Sequence, residues 1–167
     1  GDYYLETGDF ASALKNFVEA KKLNGRSSRV FNRIGFTYYK LKKFHIAITN
    51  YLEALKISPD EAHVNNNLGA AYFSIKKYLL AEESYLKAVG LMPNYAKVMV
   101  NLAVLNFYMR SYIDAFNWYV KALKTNKGYV ESRFDKQKAK SELERLAKEN
   151  PDDGELQRIY QEARKRW

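Results

Sequence analysis

The residue types that most often perform chemistry are scarce in this chain of 167 residues. It contains no cysteine, and neither of its two histidines, His45 and His63, has another histidine at metal-ligand spacing. The acidic pairs Glu82-Glu83 and Asp152-Asp153 are adjacent rather than facing, which favours helix caps and surface positions. The glycines stand singly, without the cluster that cradles a phosphate. The sequence therefore predicts no enzyme and no metal or cofactor site.

Basic, amide and aromatic side chains instead recur about every 34 residues, in positions that could line a binding surface. We call this spacing the repeat interval. The polar members form one column of Arg29, His63 and Lys97 and a second of Arg33, Asn67 and Asn101, with Asn32 and Asn66 beside them. The aromatic members are Phe36, Tyr39, Phe73, Phe107 and Tyr108, with Lys40 at their border. An asparagine amide can donate and accept, so it can bind a peptide backbone without reading its sequence.

A second set of residues with the same interval must position the first. Small, aromatic and helix-ending residues occupy fixed offsets in the stretch 29–59, namely Gly35, Tyr38, Phe44, Ala47, Tyr51, Ala54 and Pro59. One repeat interval later the same offsets read Gly69, Tyr72, Tyr78, Ala81, Tyr85, Ala88 and Pro93. A third copy departs at Asn106 and Lys127, and a partial copy precedes residue 29. A period of this length indicates stacked units, none of which buries its own apolar face.

This pattern of small, aromatic and helix-ending residues resembles the tetratricopeptide repeat family over residues 1 to about 129. The resemblance implies an all-α fold, a right-handed superhelical solenoid of antiparallel helix pairs. We expect a partial first repeat at 1–27, repeats at 28–61, 62–95 and 96–129, and C-terminal capping helices at 130–167, all in one domain. Because Gly1 and Tyr4 stand at mid-unit positions, we also expect the chain to begin partway through a unit.

The resemblance further implies that the columns of basic, amide and aromatic residues line a concave groove that binds a peptide. Residues 1–130 carry 18 basic and 10 acidic side chains, while residues 131–167 carry 10 and 9. This charge excess is consistent with an acidic ligand and equally with a solvated surface that keeps the protein in solution. Family members that grip a C-terminal carboxylate match this chain only at Asn67 and Lys97. We expect a protein or peptide partner, and neither nucleic acid nor a membrane span.

The period fails after Tyr129. The pattern there predicts one helix over about 130–148, then a final helix that begins after Asp152-Asp153 and ends near Arg166. The apolar residues of this final helix recur at helical spacing and form a stripe along one side of it, namely Leu156, Ile159, Tyr160, Ala163 and Trp167. This stripe fits a cap over the last repeat, and the alternative is a helix that docks into another molecule.

Three functions are consistent with these patterns. The first is a non-enzymatic interaction module or scaffold that binds an acidic peptide with an apolar anchor. The second is a self-assembly or subunit-docking element that uses the C-terminal helix or the open N-terminal end, which leaves a homo-oligomer as an alternative. The third is the substrate-selecting arm of a larger enzyme.

Overall fold

The computed structural model describes residues 1–23, 25–133 and 136–166, with the backbone alone at residues 133, 136, 138, 139 and 166. All regular secondary structure in these ranges is helical, which confirms the predicted all-α fold of paired antiparallel helices. The helices are α1 Asp2–Glu6, α2 Phe10–Leu23, α3 Ser28–Lys40, α4 Phe44–Ile57, α5 Ala62–Ser74, α6 Tyr78–Leu91, α7 Ala96–Tyr108, α8 Tyr112–Thr125, α9 Lys127–Arg133, α10 Lys136–Glu149 and α11 Gly154–Arg166. They divide into two compact units, Gly1–Pro93 and Asn94–Trp167.

Close packing within each helix pair depends on the small residues of the repeat. A Cβ atom at Gly35 would lie 2.8 Å from the ring of Tyr51, and one at Gly69 would lie 2.7 Å from the ring of Tyr85. Ala47, Ala54, Ala81 and Ala88 are completely buried. Tyr51 is also fully buried, in a cluster that includes Phe31, Val64 and Leu68. The small side chains therefore make room for a large aromatic ring in each pair.

The turn inside each helix pair has a left-handed residue at the same offset. Gly8, Lys42, Lys76 and Arg110 follow one another at the repeat interval, with φ values of 80°, 58°, 59° and 63°. Their neighbours close the turn through backbone hydrogen bonds, as where Lys43 N donates to Tyr38 O at 2.9 Å and Lys77 N donates to Tyr72 O at 3.0 Å. Three of the four positions thus carry a long side chain where glycine is the least strained residue.

The second helix of each pair ends where the sequence predicts. α4 stops at Ile57 and α6 at Leu91, each two residues before a proline that restricts the preceding backbone. After α8 the position holds Lys127 instead of proline, and α9 begins there after a single intervening residue. Asn126 fills that gap, and its Oδ1 accepts a hydrogen bond from Tyr129 N at 3.0 Å.

The C-terminal helices pack within the second unit. The predicted helix over 130–148 corresponds to α9 and α10, and residues 134 and 135 between them lie outside the described part of the chain. Asp153 caps α11, since its Oδ1 accepts a hydrogen bond from Leu156 N at 2.9 Å. Leu156, Ile159 and Ala163 are buried against residues of α8 and α10. Trp167 of the predicted stripe lies outside the described residues.

Candidate functional site

The predicted binding residues of the first unit lie on α3 and α5, next to α1. We call the surface formed by Asp2, Arg29, Asn32, Arg33, Phe36 and Asn67 the first-helix face. Asp2 on α1 meets both arginines of α3, with 3.0 Å between its Oδ1 and Arg33 Nε and 3.4 Å between its Oδ2 and the guanidinium of Arg29. Both arginines remain substantially exposed. This face therefore presents two cations that already hold one carboxylate.

Three asparagines join α3 to α5 through their side chains. Asn66 Nδ2 donates to Asn67 Oδ1 at 3.4 Å, and Asn67 Nδ2 donates to Asn32 Oδ1 at 3.1 Å. Asn32 and Asn67 are half-buried, whereas Asn66 is only 1% exposed. A ligand can reach the first two, and Asn66 would contribute by positioning Asn67.

The aromatic residues of the predicted site divide into two groups. Tyr39, Phe73 and Phe107 follow one another at the repeat interval, and each ring contacts the aromatic residue that begins the next helix. The centroid distances are 5.5 Å for Tyr39–Phe44, 5.7 Å for Phe73–Tyr78 and 5.7 Å for Phe107–Tyr112. In each pair the two rings pack against each other across the turn, and the sequence patterns did not predict this packing role. Phe36 differs, because it is half-buried and Lys40 Nζ lies 5.4 Å from its ring centroid.

The remaining predicted residues lie near helix ends or in the second unit. His63 is exposed in the first turn of α5. Lys97, Asn101, Phe107 and Tyr108 are on α7, where Asn101 is half-buried and the other three are exposed. Lys97 also borders a cleft of about 670 Å³ between α7, α8 and α9, whose lining includes Lys121 and Lys124 and no acidic residue. The positive character predicted for the repeats is therefore also present in this second unit.

Within the described ranges, no three histidine, aspartate or glutamate side chains are grouped so that they could hold a metal ion. Among the same residues, none of the helices combines the length and the apolar character that crossing a membrane requires.

Sequence reasoning also missed a surface on the second helices of the repeat pairs. The first unit has a cleft of about 580 Å³ between α4, α5 and α6, and it contains none of the predicted site residues. The signal that could have revealed it is two further columns at the repeat interval, one of Val18, Leu52 and Leu86 and one of Ile46 and Leu80. Leu52 and Leu80 of these columns line the cleft.

Comparison with known proteins identifies the class of this helical repeat protein. Residues 35–76 match a family model described as TPR repeat, and residues 62–95 match one described as tetratricopeptide repeat. Residues 35–95 therefore consist of tetratricopeptide repeats, a helical repeat of protein–protein interaction modules. No curated protein matches its sequence.

Solved structures share the fold at low sequence identity. A crystal structure of MamA superposes with a TM-score of 0.77 at 19% identity, covering 99% of this chain and 92% of that one. MamA residues 41 to the end from Desulfovibrio magneticus RS-1 give a TM-score of 0.69 at 22% identity, with coverage of 75% and 71%. The first TPR of Spaghetti (RPAP3), bound to the HSP90 peptide SRMEEVD, gives 0.59 at 20% identity, with coverage of 83% and 91%.

Proposed function

We propose that this protein is a non-enzymatic interaction module whose first-helix face binds an acidic peptide segment of a partner protein. The observation that carries the proposal is the contact of one carboxylate, that of Asp2, with both Arg29 and Arg33. A ligand carboxylate can make similar contacts, because each guanidinium group has donors besides the one that Asp2 uses and both side chains remain exposed.

Electrostatics supports an acidic ligand over a neutral one. The whole chain carries a formal charge of +9, and the repeats contribute most of the excess. A basic surface attracts acidic segments and mainly accelerates their association. The RPAP3 repeat of similar fold is bound to a peptide, SRMEEVD, that contains three acidic residues. That structure supports the acidic ligand class for a repeat of this fold.

The amide and aromatic residues of the face suit the rest of such a ligand. Asn67 is half-buried and oriented by Asn32, so its remaining hydrogen-bonding capacity can serve a peptide backbone. Phe36 offers an apolar surface with the ammonium group of Lys40 beside it. We assign the apolar anchor of the ligand to Phe36 rather than to Phe73, whose ring packs on Tyr78.

The C-terminal helix is less suited to docking. Its apolar residues Leu156, Ile159 and Ala163 are buried against α8 and α10, so they have no surface left for a partner. We therefore assign α11 a structural role within the second unit.

Calorimetric titration with acidic peptides selected against the protein tests the proposal. Replacing Arg33 by Ala should weaken binding by roughly 1 kcal/mol, or about fivefold, and should reduce the dependence of affinity on salt. The matched control is Lys15→Ala, which removes an equal charge from an exposed position of α2, outside the first-helix face. Equal affinity of the Arg33 variant and the unchanged protein would place the binding site elsewhere.

A further inference from the structure

The solvent-exposed side of α2, α4 and α6 carries apolar residues that the repeat fold does not require. Val18, Leu52 and Leu86 are separated by the repeat interval, and each is between 40% and 45% exposed. Ile46 and Leu80, separated by the same interval, are similarly exposed. Single exposed leucines are common on soluble proteins, but five aliphatic residues at two repeated offsets form a pattern. We call the surface that they form the second-helix face.

The second-helix face contains a cleft that can receive side chains from a partner. Its volume is about 580 Å³, and Leu52 of α4 and Leu80 of α6 line it, above apolar residues of α5. Helices that bury their apolar side chains in such clefts are a common mode of protein association. The cleft is therefore suited to aliphatic side chains from a partner surface.

The charges around the cleft restrict the identity of that partner. Its lining has two acidic residues, Glu53 and Glu83, and two basic residues, Lys56 and Lys87. The cleft thus has no net charge although the chain carries +9. An acidic partner would gain more on the basic first-helix face. Two copies of this chain repel each other at long range, and a neutral surface with both signs of charge is where that repulsion is least.

We propose that the second-helix face docks a second copy of this chain in a two-fold symmetric arrangement. In such an isologous contact the same surface is used twice, so every acidic residue can find a basic one on the other copy. The aliphatic side chains of each copy, Leu52 and Leu80 among them, enter the cleft of the other. This surface lies on α2, α4 and α6 and includes none of the residues of the first-helix face, so self-association does not depend on peptide binding there.

Analytical ultracentrifugation over a wide concentration range tests the docking. The unchanged chain should form dimers, and Leu52→Glu should raise the dissociation constant by at least roughly tenfold, because it places a charge in the apolar centre. Leu23→Glu is the matched control, since Leu23 is 82% exposed and does not line the cleft. Circular dichroism should show equal melting of both variants. A chain that stays monomeric up to about 1 mM would overturn the proposal.

A charge-reversal experiment tests the two-fold symmetry. One variant has both acidic residues replaced, Glu53→Lys with Glu83→Lys, and the other has both basic residues replaced, Lys56→Glu with Lys87→Glu. Each variant alone should be monomeric, and an equimolar mixture should form heterodimers. If each variant still dimerises as well as the unchanged chain, or if the dimer survives Leu52→Glu but not removal of α11, the copies meet through another surface and the proposal is wrong.

Discussion

Gly35 and Tyr51 are in such close contact that the glycine has no room for a single added carbon. A Cβ at Gly35 would lie 2.8 Å from two carbons of the tyrosine ring, and 3.2 Å from the backbone oxygen of Ala47. The ring is fully buried and cannot move aside without displacing its neighbours. The contact therefore sets how closely α3 and α4 can approach.

Gly35→Ala is expected to destabilise the protein by about 1 to 3 kcal/mol through overpacking. Gly90→Ala is a control of opposite sign, because Gly90 lies in α6 with nothing within 4 Å of an added Cβ. That change should stabilise the helix by about 0.5 to 1 kcal/mol. Urea denaturation of the two variants measures both effects, and two changes of the same sign would contradict the packing account.

Lys76→Gly is expected to raise the free energy of unfolding by about 0.5 to 1 kcal/mol. A left-handed conformation costs a non-glycine residue roughly 1 to 2 kcal/mol, and the added flexibility of the unfolded chain cancels part of the gain. Lys77, at φ −86°, provides the comparison, and Lys77→Gly should destabilise. Thermal melting of both variants checks the prediction, which fails if the Lys76 variant melts lower than the unchanged protein.

Stability should fall at high pH because of buried tyrosines. Burial raises the pKa of Tyr51 and of Tyr85 far above the ordinary value near 10. Because the pKa values of both tyrosines are raised in the folded state, their contribution to the free energy of unfolding is complete below pH 10. This contribution is lost as the pH rises above 10, where the tyrosines of the unfolded chain ionise. Each tyrosine should cost up to about 1.4 kcal/mol per pH unit there. Urea midpoints at pH 8 and pH 11 measure this loss.

Tyr51→Phe serves as the control for that pH dependence. The hydroxyl of Tyr51 is buried without a hydrogen-bond partner among the described residues. Its removal should leave stability at neutral pH unchanged or higher by about 1 kcal/mol, and should make the loss at pH 11 smaller. A loss at pH 11 as large as that of the unchanged chain would show that ionisation of Tyr51 does not contribute.

Ile159→Ala should cost about 2 to 5 kcal/mol if α11 is part of the folded second unit. Ile159 is buried with Leu143 and Leu146 of α10. Arg158→Ala, at the exposed neighbouring position, should change stability little. Differential scanning calorimetry compares the two variants, and an unchanged transition for the Ile159 variant would indicate a helix that is free to dock elsewhere.

The sequence was sufficient for the features that repeat with strong physical constraints. Gly35, Ala47 and Tyr51 have sizes that only close helix packing explains, and Pro59 limits where α4 can end. The left-handed turns were not predictable, because Lys42 and Lys76 are residue types that rarely adopt this conformation.

The binding site was harder to derive for a different reason. A periodic pattern assigns a residue to a helix, but the exposure of its side chain depends on the neighbouring helices. Asn66 is buried because α5 has helices on both sides, and Phe73 contacts Tyr78 because the turn brings both rings together. The exposed column of Val18, Leu52 and Leu86 was visible as a period, yet its exposure required the structure.

The left-handed turns also affect how quickly this chain can fold. Three of them are closed by a hydrogen bond between residues only five positions apart, from Lys43 N to Tyr38 O, from Lys77 N to Tyr72 O and from Ser111 N to Asn106 O. Contacts between residues near in sequence require little loop closure, and folds dominated by them form rapidly. In a repeat array folding can begin at any unit and spread to its neighbours. These three turns are therefore similar local nuclei, and a substitution that slows one of them leaves the other two as starting points.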